Sequence, residues 1–174
     1  HTNPEPKNVV NELVSINLED GTMNVIATGN DFYAAPRLSS DGSKLAYVTW
    51  NHPNMPWDAI ELRMVDLSSS SSASSKSEMH TLIAGKDGDT SAIQPIWHPH
   101  TGELYYISDQ SGYYNIFRAG CDQSILPMEY DFGGSSPGWT LGRQDFTFLP
   151  TDGRLVAQYT KDGNTVLVVA DVVS

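Results

Sequence analysis

Apolar residues in this chain fall in short runs, separated by polar turns that end in glycine, and one such arrangement recurs three times. The first copy is Ala35-Pro36-Arg37-Leu38-Ser39-Ser40-Asp41-Gly42-Ser43-Lys44-Leu45-Ala46-Tyr47-Val48. The second runs from Gln94-Pro95-Ile96-Trp97 through His98-Pro99-His100-Thr101-Gly102 to Leu104-Tyr105-Tyr106-Ile107. The third runs from Asp145-Phe146-Thr147-Phe148 through Leu149-Pro150-Thr151-Asp152-Gly153 to Leu155-Val156-Ala157. Each copy predicts a strand, a tight turn and a second strand, because runs this short between turn residues are strand-length. Glycine suits the left-handed position that a hairpin turn imposes.

A third strand is predicted after each pair: Ile60–Val65 in the first copy, Tyr114–Arg118 in the second, Thr165–Val169 in the third. A weaker fourth follows at Met79 to Ile83 and roughly at Ser124 to Met128. Glu12–Leu18 and Met23–Ala27, joined by Glu19-Asp20-Gly21, read as strands three and four of a preceding unit, while Val166–Val173 reads as a third strand whose fourth is missing. From Gly42 to Gly102 is 60 residues and from Gly102 to Gly153 is 51, which are propeller-blade periods. The fold expected is therefore all-β, a partial β-propeller of about three four-stranded antiparallel blades. Its divisions are expected at 1–28 (end of a preceding blade), 29–91 (a blade with a Ser-rich loop at 68–77), 92–143 (a blade) and 144–174 (a truncated blade). Trp97 is expected to be mostly buried on the first strand of its blade, alongside Tyr105 or Ile107. A chain that starts and stops in mid-blade is the pattern of a fragment of a larger ring. Its open faces would self-associate or be covered by more polypeptide, unless 12–27 pairs with 165–172 to complete a shared blade.

Composition narrows the function. Hydrophobic residues make up 39% of the chain, with 14 Gly and 10 Pro, which fits a turn-rich globular protein. Acidic residues outnumber basic ones 21 to 10, giving a formal charge of −11. Such an acidic protein repels phosphate backbones and anionic bilayer surfaces, which excludes nucleic acid and membrane as leading partners. No apolar run reaches the roughly 18 residues that a spanning helix needs. Cys121 is alone and no Asn-x-Ser/Thr acceptor occurs, so a reducing, cytoplasmic setting is expected. The opening His1-Thr2-Asn3-Pro4 has neither an initiating Met nor the features of a signal peptide, so an internal piece or a processed start is expected.

The stretch Gly29-Asn30-Asp31-Phe32-Tyr33-Ala34-Ala35-Pro36-Arg37-Leu38-Ser39 continues through Asp41-Gly42-Ser43-Lys44 to Trp50, then Asn51-His52-Pro53-Asn54-Met55-Pro56-Trp57-Asp58. It closely resembles the propeller of prolyl-oligopeptidase-family serine peptidases, on the acylaminoacyl-peptidase and dipeptidyl-aminopeptidase branch. The resemblance covers roughly Gly29 to Leu155. The His52–Asp58 string is its specific part, whereas the Pro-x-Trp-type hairpins are shared with many propellers, TolB-like ones included. Asn51 and Ala59 stand where that pattern has Asp and Gly, and Ser40 and His100-Thr101 depart from its Pro-Asp-Gly turn. The resemblance implies a non-catalytic propeller that gates substrate access to an α/β-hydrolase domain not present in this chain. The parent enzyme would cleave short peptides or acylaminoacyl peptides. The alternative reading is a TolB-like propeller acting as a protein-binding scaffold.

Candidate chemistry within the chain is sparse. Gly134-Ser135-Ser136-Pro137-Gly138 matches Gly-x-Ser-x-Gly as a string, but a nucleophile elbow needs a helix opening after the serine, and Pro137-Gly138 breaks one. His98 and His100 lack a third ligand nearby, so no metal is expected. No catalytic residue and no cofactor are expected. The residues singled out as lining a substrate channel or domain interface are His52, Asn54, Met55, Trp57 and Asp58, because two prolines stiffen a loop that displays apolar area. Asp31, Glu61, Asp66 and Asp109 are the acids considered for a peptide's amino terminus, as the resemblance suggests.

Overall fold

The computed structural model describes residues 5–68, 80–86, 88–133, 140 and 142–172. Among them there is no α-helix, only a 3-10 turn at Pro6–Asn8 ahead of the strands. The strands are β1 (Glu12–Ile16), β2 (Met23–Thr28), β3 (Phe32–Leu38), β4 (Lys44–Trp50), β5 (Glu61–Asp66), β6 (His80–Ala84), β7 (Ala92–Trp97), β8 (Leu104–Ser108), β9 (Asn115–Arg118), β10 (Phe146–Phe148), β11 (Leu155–Lys161) and β12 (Asn164–Ala170). They form four antiparallel sheets in sequence order: β1-β2, β3-β4-β5-β6, β7-β8-β9 and β10-β11-β12. The chain is thus an all-β partial propeller.

The hairpin turns align the blades. Ser39, His98 and Leu149 each donate their N–H to the carbonyl five residues on, at Lys44, Glu103 and Arg154. Leu45, Leu104 and Leu155 are therefore equivalent, and side-chain alternation along a strand sends each to the preceding blade. Leu45 and Tyr47 pack with Ala27 of β2. Leu104 and Tyr106 pack with Ala46, Val48, Trp50 and Leu62 of the first full sheet. Leu155 and Ala157 pack with Tyr105, Ile107 and Ile116 of the next. The two middle sheets thus each give one face to the sheet before and the other to the sheet after, which is why β4 and β8 are buried on both sides and read as nearly continuous apolar runs.

The turns themselves tie the second and third blades. His98 is buried, and its Nδ1 accepts the backbone N–H groups of His100 and Thr101 at 3.2 and 3.1 Å. That leaves Nε2 to donate to the Gly153 carbonyl at 3.0 Å. Gly153 has φ +75, and a Cβ there would meet the His98 ring at 2.8 Å, so only glycine allows this approach.

Three expectations are corrected. The predicted fourth strand of the second full blade is only a single bridge, Phe117 to Ser124. Pro127 has no N–H for a ladder, and the Asn115 side chain instead brackets Met128, accepting its N–H at 3.1 Å and donating to its C=O at 3.0 Å. Trp97 is mostly buried, as expected, but lies opposite Leu104, and it is Ile96 that lies opposite Tyr105. The cause is a register shift between Ile93 and Ile96, where Gln94 adopts φ 53 before Pro95. Its Nε1 donates to the Arg37 carbonyl at 2.9 Å, so Trp97 serves the contact with the preceding blade. Finally, β1 and β2 pair with each other and β12 with β11, so no shared blade forms.

Candidate functional site

The connection between β4 and β5 carries the residues singled out above, and its neighbours on both sides hold it in place. The Asp31 carboxylate, in the link from β2 to β3, accepts the His52 N–H at 2.8 Å, and the Asn51 side chain accepts the Asp31 N–H at 2.8 Å. Phe32 stacks on Trp50 at 5.0 Å and meets the His52 ring edge-on at 4.8 Å. The loop then turns on itself, with Asn54 donating to the Asn51 carbonyl and Asp58 Oδ2 accepting the Met55 N–H at 2.8 Å. At its far end Ile60 exchanges backbone bonds with Thr90 and Ala92 in the link to the next blade, and Ser91 Oγ approaches the Pro56 carbonyl at 3.4 Å. The His52–Pro53 peptide bond is cis.

Fixed in this way, the loop buries Pro56, Ala59 and Ile60 and leaves Met55 and Trp57 outside, at 40% and 48% exposure. The turn from β8 to β9 lies at the same end of its sheet and shows Tyr113, also exposed. Acids surround these apolar groups. Asp109 accepts the Ser91 N–H at 2.7 Å, and burial pushes its carboxyl above the usual range, with Asp89 and Asp131 adding to the effect. Burial likewise raises the Tyr114 hydroxyl, reinforced by Asp109, Asp131 and Asp58. One end of the molecule is therefore apolar at its tips and acidic between them.

The structure separates the four acids considered for a peptide amino group. Asp31 and Asp109 lie at this end. Glu61 is taken by Arg63 at 2.7 Å. Asp66 accepts from Ser68 at the opposite end of its sheet. Both nitrogens of His98 are engaged by backbone groups, and among the described residues no three His, Cys, Asp or Glu side chains converge to hold a metal ion. The Gly134–Gly138 string and most of the Ser-rich loop lie outside the described residues.

One constellation was not foreseen. Asp145 is buried, and it accepts from Arg143 at 2.7 Å, from Gln94 Nε2 at 2.7 Å and from Gln158 Nε2 at 2.8 Å. Its own N–H returns to Gln94 Oε1 at 2.7 Å. Burial works to raise this carboxyl, but the three donors outweigh it and hold it below the usual carboxylate range. Gln94 and Asp145 are 51 residues apart and have no local signature, so only the repeat alignment could have paired them.

Comparison with solved structures places this geometry. A puromycin-hydrolyzing peptidase of Mycobacterium tuberculosis matches at 33% identity and a TM-score of 0.71, covering 88% of this chain and 22% of its own. The chain matches the propeller portion of a prolyl-oligopeptidase-family peptidase. A second structure, a puromycin hydrolase, matches the segment at 25% identity and a TM-score of 0.71, over 86% of this chain and 22% of that one. TolB of Acinetobacter baumannii is 22% identical at a TM-score of 0.52, a likeness of fold alone. The propeller segment spans 22% of the length of either hydrolase. No family model matches it, and no curated protein does.

Proposed function

We propose that this segment is the non-catalytic, gating part of a serine peptidase whose α/β-hydrolase domain lies elsewhere in the same polypeptide. The observation that carries the reading is the match at 33% identity, over 88% of this chain, to a puromycin-hydrolyzing peptidase. The β4–β5 loop and the β8–β9 turn form the end that meets the hydrolase domain or lines the route to it. Met55, Trp57 and Tyr113 supply contact area there. Asp58, Asp89, Asp109 and Asp131 supply negative charge that attracts the amino group of a short peptide or aminoacyl amide. A rigid ring over the catalytic domain admits such substrates and excludes folded proteins.

The test is hydrolysis by a polypeptide that joins this segment to an α/β-hydrolase domain. It should cleave puromycin and short peptides and leave folded proteins intact. Replacing Asn54–Asp58 by two glycines should raise cleavage of longer peptides relative to short ones. An unchanged length preference, or degradation of folded proteins by the unaltered polypeptide, would refute the gate. The segment alone should hydrolyse none of these substrates.

A further inference from the structure

The first two strands of successive blades are closed off in one recurring way. Their ladders end with Phe32 opposite Trp50, Ala92 opposite Ser108 and Phe146 opposite Ala157. A side chain holds the next rung in each. Asn51 Oδ1 accepts the Asp31 N–H at 2.8 Å, Asp109 Oδ1 accepts the Ser91 N–H at 2.7 Å, and Asp145 Oδ1 accepts from Gln158 Nε2 at 2.8 Å. In the first two cases the chain then turns, the Asn51 and Asp109 carbonyls accepting the N–H groups of Asn54 and Gly112 at 3.0 and 2.8 Å.

One bond sets the first of these two rungs apart from the second. Asp31 carries a carboxylate that reaches past the rung, where its Oδ2 accepts the His52 N–H at 2.8 Å. At the second rung the corresponding Gln110 N–H turns back to Ser108 Oγ at 3.2 Å. The extra bond goes with the longer connection: ten residues (51–60) join β4 to β5, and six (109–114) join β8 to β9. The longer loop takes its heading from His52, whose ring also meets Phe32 edge-on. Pro53 follows directly and Pro56 comes three residues later, each with its φ fixed by its ring, so that heading carries through to Met55 and Trp57. Backbone bonds of Ile60 fix the far end, and the exposed Asp31 carboxylate holds the near one.

We infer that Asp31 is a positioning residue, whose carboxylate anchors the backbone of the β4–β5 loop and thereby sets how long a peptide is accepted. The inference rests on the gating role proposed above. It gives Asp31 a task that needs an acceptor oxygen but not a negative charge.

The test compares kcat/KM for the longest peptide that the unaltered enzyme measurably cleaves with kcat/KM for puromycin. It uses the polypeptide that joins this segment to its hydrolase domain. Loss of folded protein lowers both values together, so their ratio reads the loop and not stability. Asp31→Ala should raise the ratio several-fold, mainly through a lower KM for the long peptide. Asp31→Asn keeps an oxygen for the His52 N–H and should keep the ratio of the unaltered enzyme. An equal rise in both variants would show that charge matters and the hold on His52 does not, which overturns the inference. So would a ratio that Asp31→Ala leaves unmoved while replacement of Asn54–Asp58 by two glycines raises it. A ratio unmoved by that replacement as well would refute the gate itself, and this inference with it.

Discussion

At the scale of single residues, Asp145 holds the most polar contacts in the smallest space. Three side chains from β7, β11 and the approach to β10 converge on one carboxylate. Gly133, at φ +85, leaves room for it, since a Cβ there would lie 2.4 Å from Asp145 Oδ2. Replacing Asp145 by Asn removes the charge that Arg143 and the two glutamines serve, and should cost about 3 kcal/mol, the usual result of breaking a buried pair on one side. The sign of the pH dependence follows from the carboxyl being held below its ordinary range. The charged form stabilises the fold at neutral pH, and that contribution is lost as the pH falls through the depressed folded-state value. Urea unfolding of both chains should therefore show a gap at pH 7 that narrows below pH ~4. A gap that widens in acid would reverse the argument. Nothing in the order of residues announced this cluster, because its members meet only when two blades stack.

Individual elements were far more legible. All twelve strands overlap runs that period and turn glycines predicted, most with ends moved by a residue or two, while β3 begins three residues earlier and β11 runs four residues further than predicted. The failures share one cause, a side chain or proline that overrides the ladder. Gln94-Pro95 shifts β7 and turns Trp97 toward the preceding blade. Asn115, almost wholly buried, replaces a fourth strand with an amide clasp on Met128. Asn115→Ala leaves both backbone groups of Met128 without that partner and should cost about 2 kcal/mol, the range for stranding buried polar groups. Thermal unfolding measures it, and a change within a few tenths of a kcal/mol would mean that the 124–128 segment is held by its apolar side chains instead. The β4–β5 loop was legible as a loop that matters, through its prolines and its Trp57. Its two anchors, Asp31 and Ser91, were not, since they lie in links on either side of it.

Across the segment as a whole, the account rests on blades stacked in sequence order, with β4 and β8 buried on both faces. Leu104–Ser108 of β8 is buried throughout, while β12 has apolar residues exposed on one face. Amide hydrogen exchange reads this difference directly, because protection follows burial and ladder pairing. In this segment produced by itself and kept dilute, exchange should be slowest in β8 and next slowest in β4. It should be fastest in β1 and β12. If β12 instead exchanged as slowly as β8 in a monomer, its outer face would already be covered, and the stacking of blades described above would be wrong.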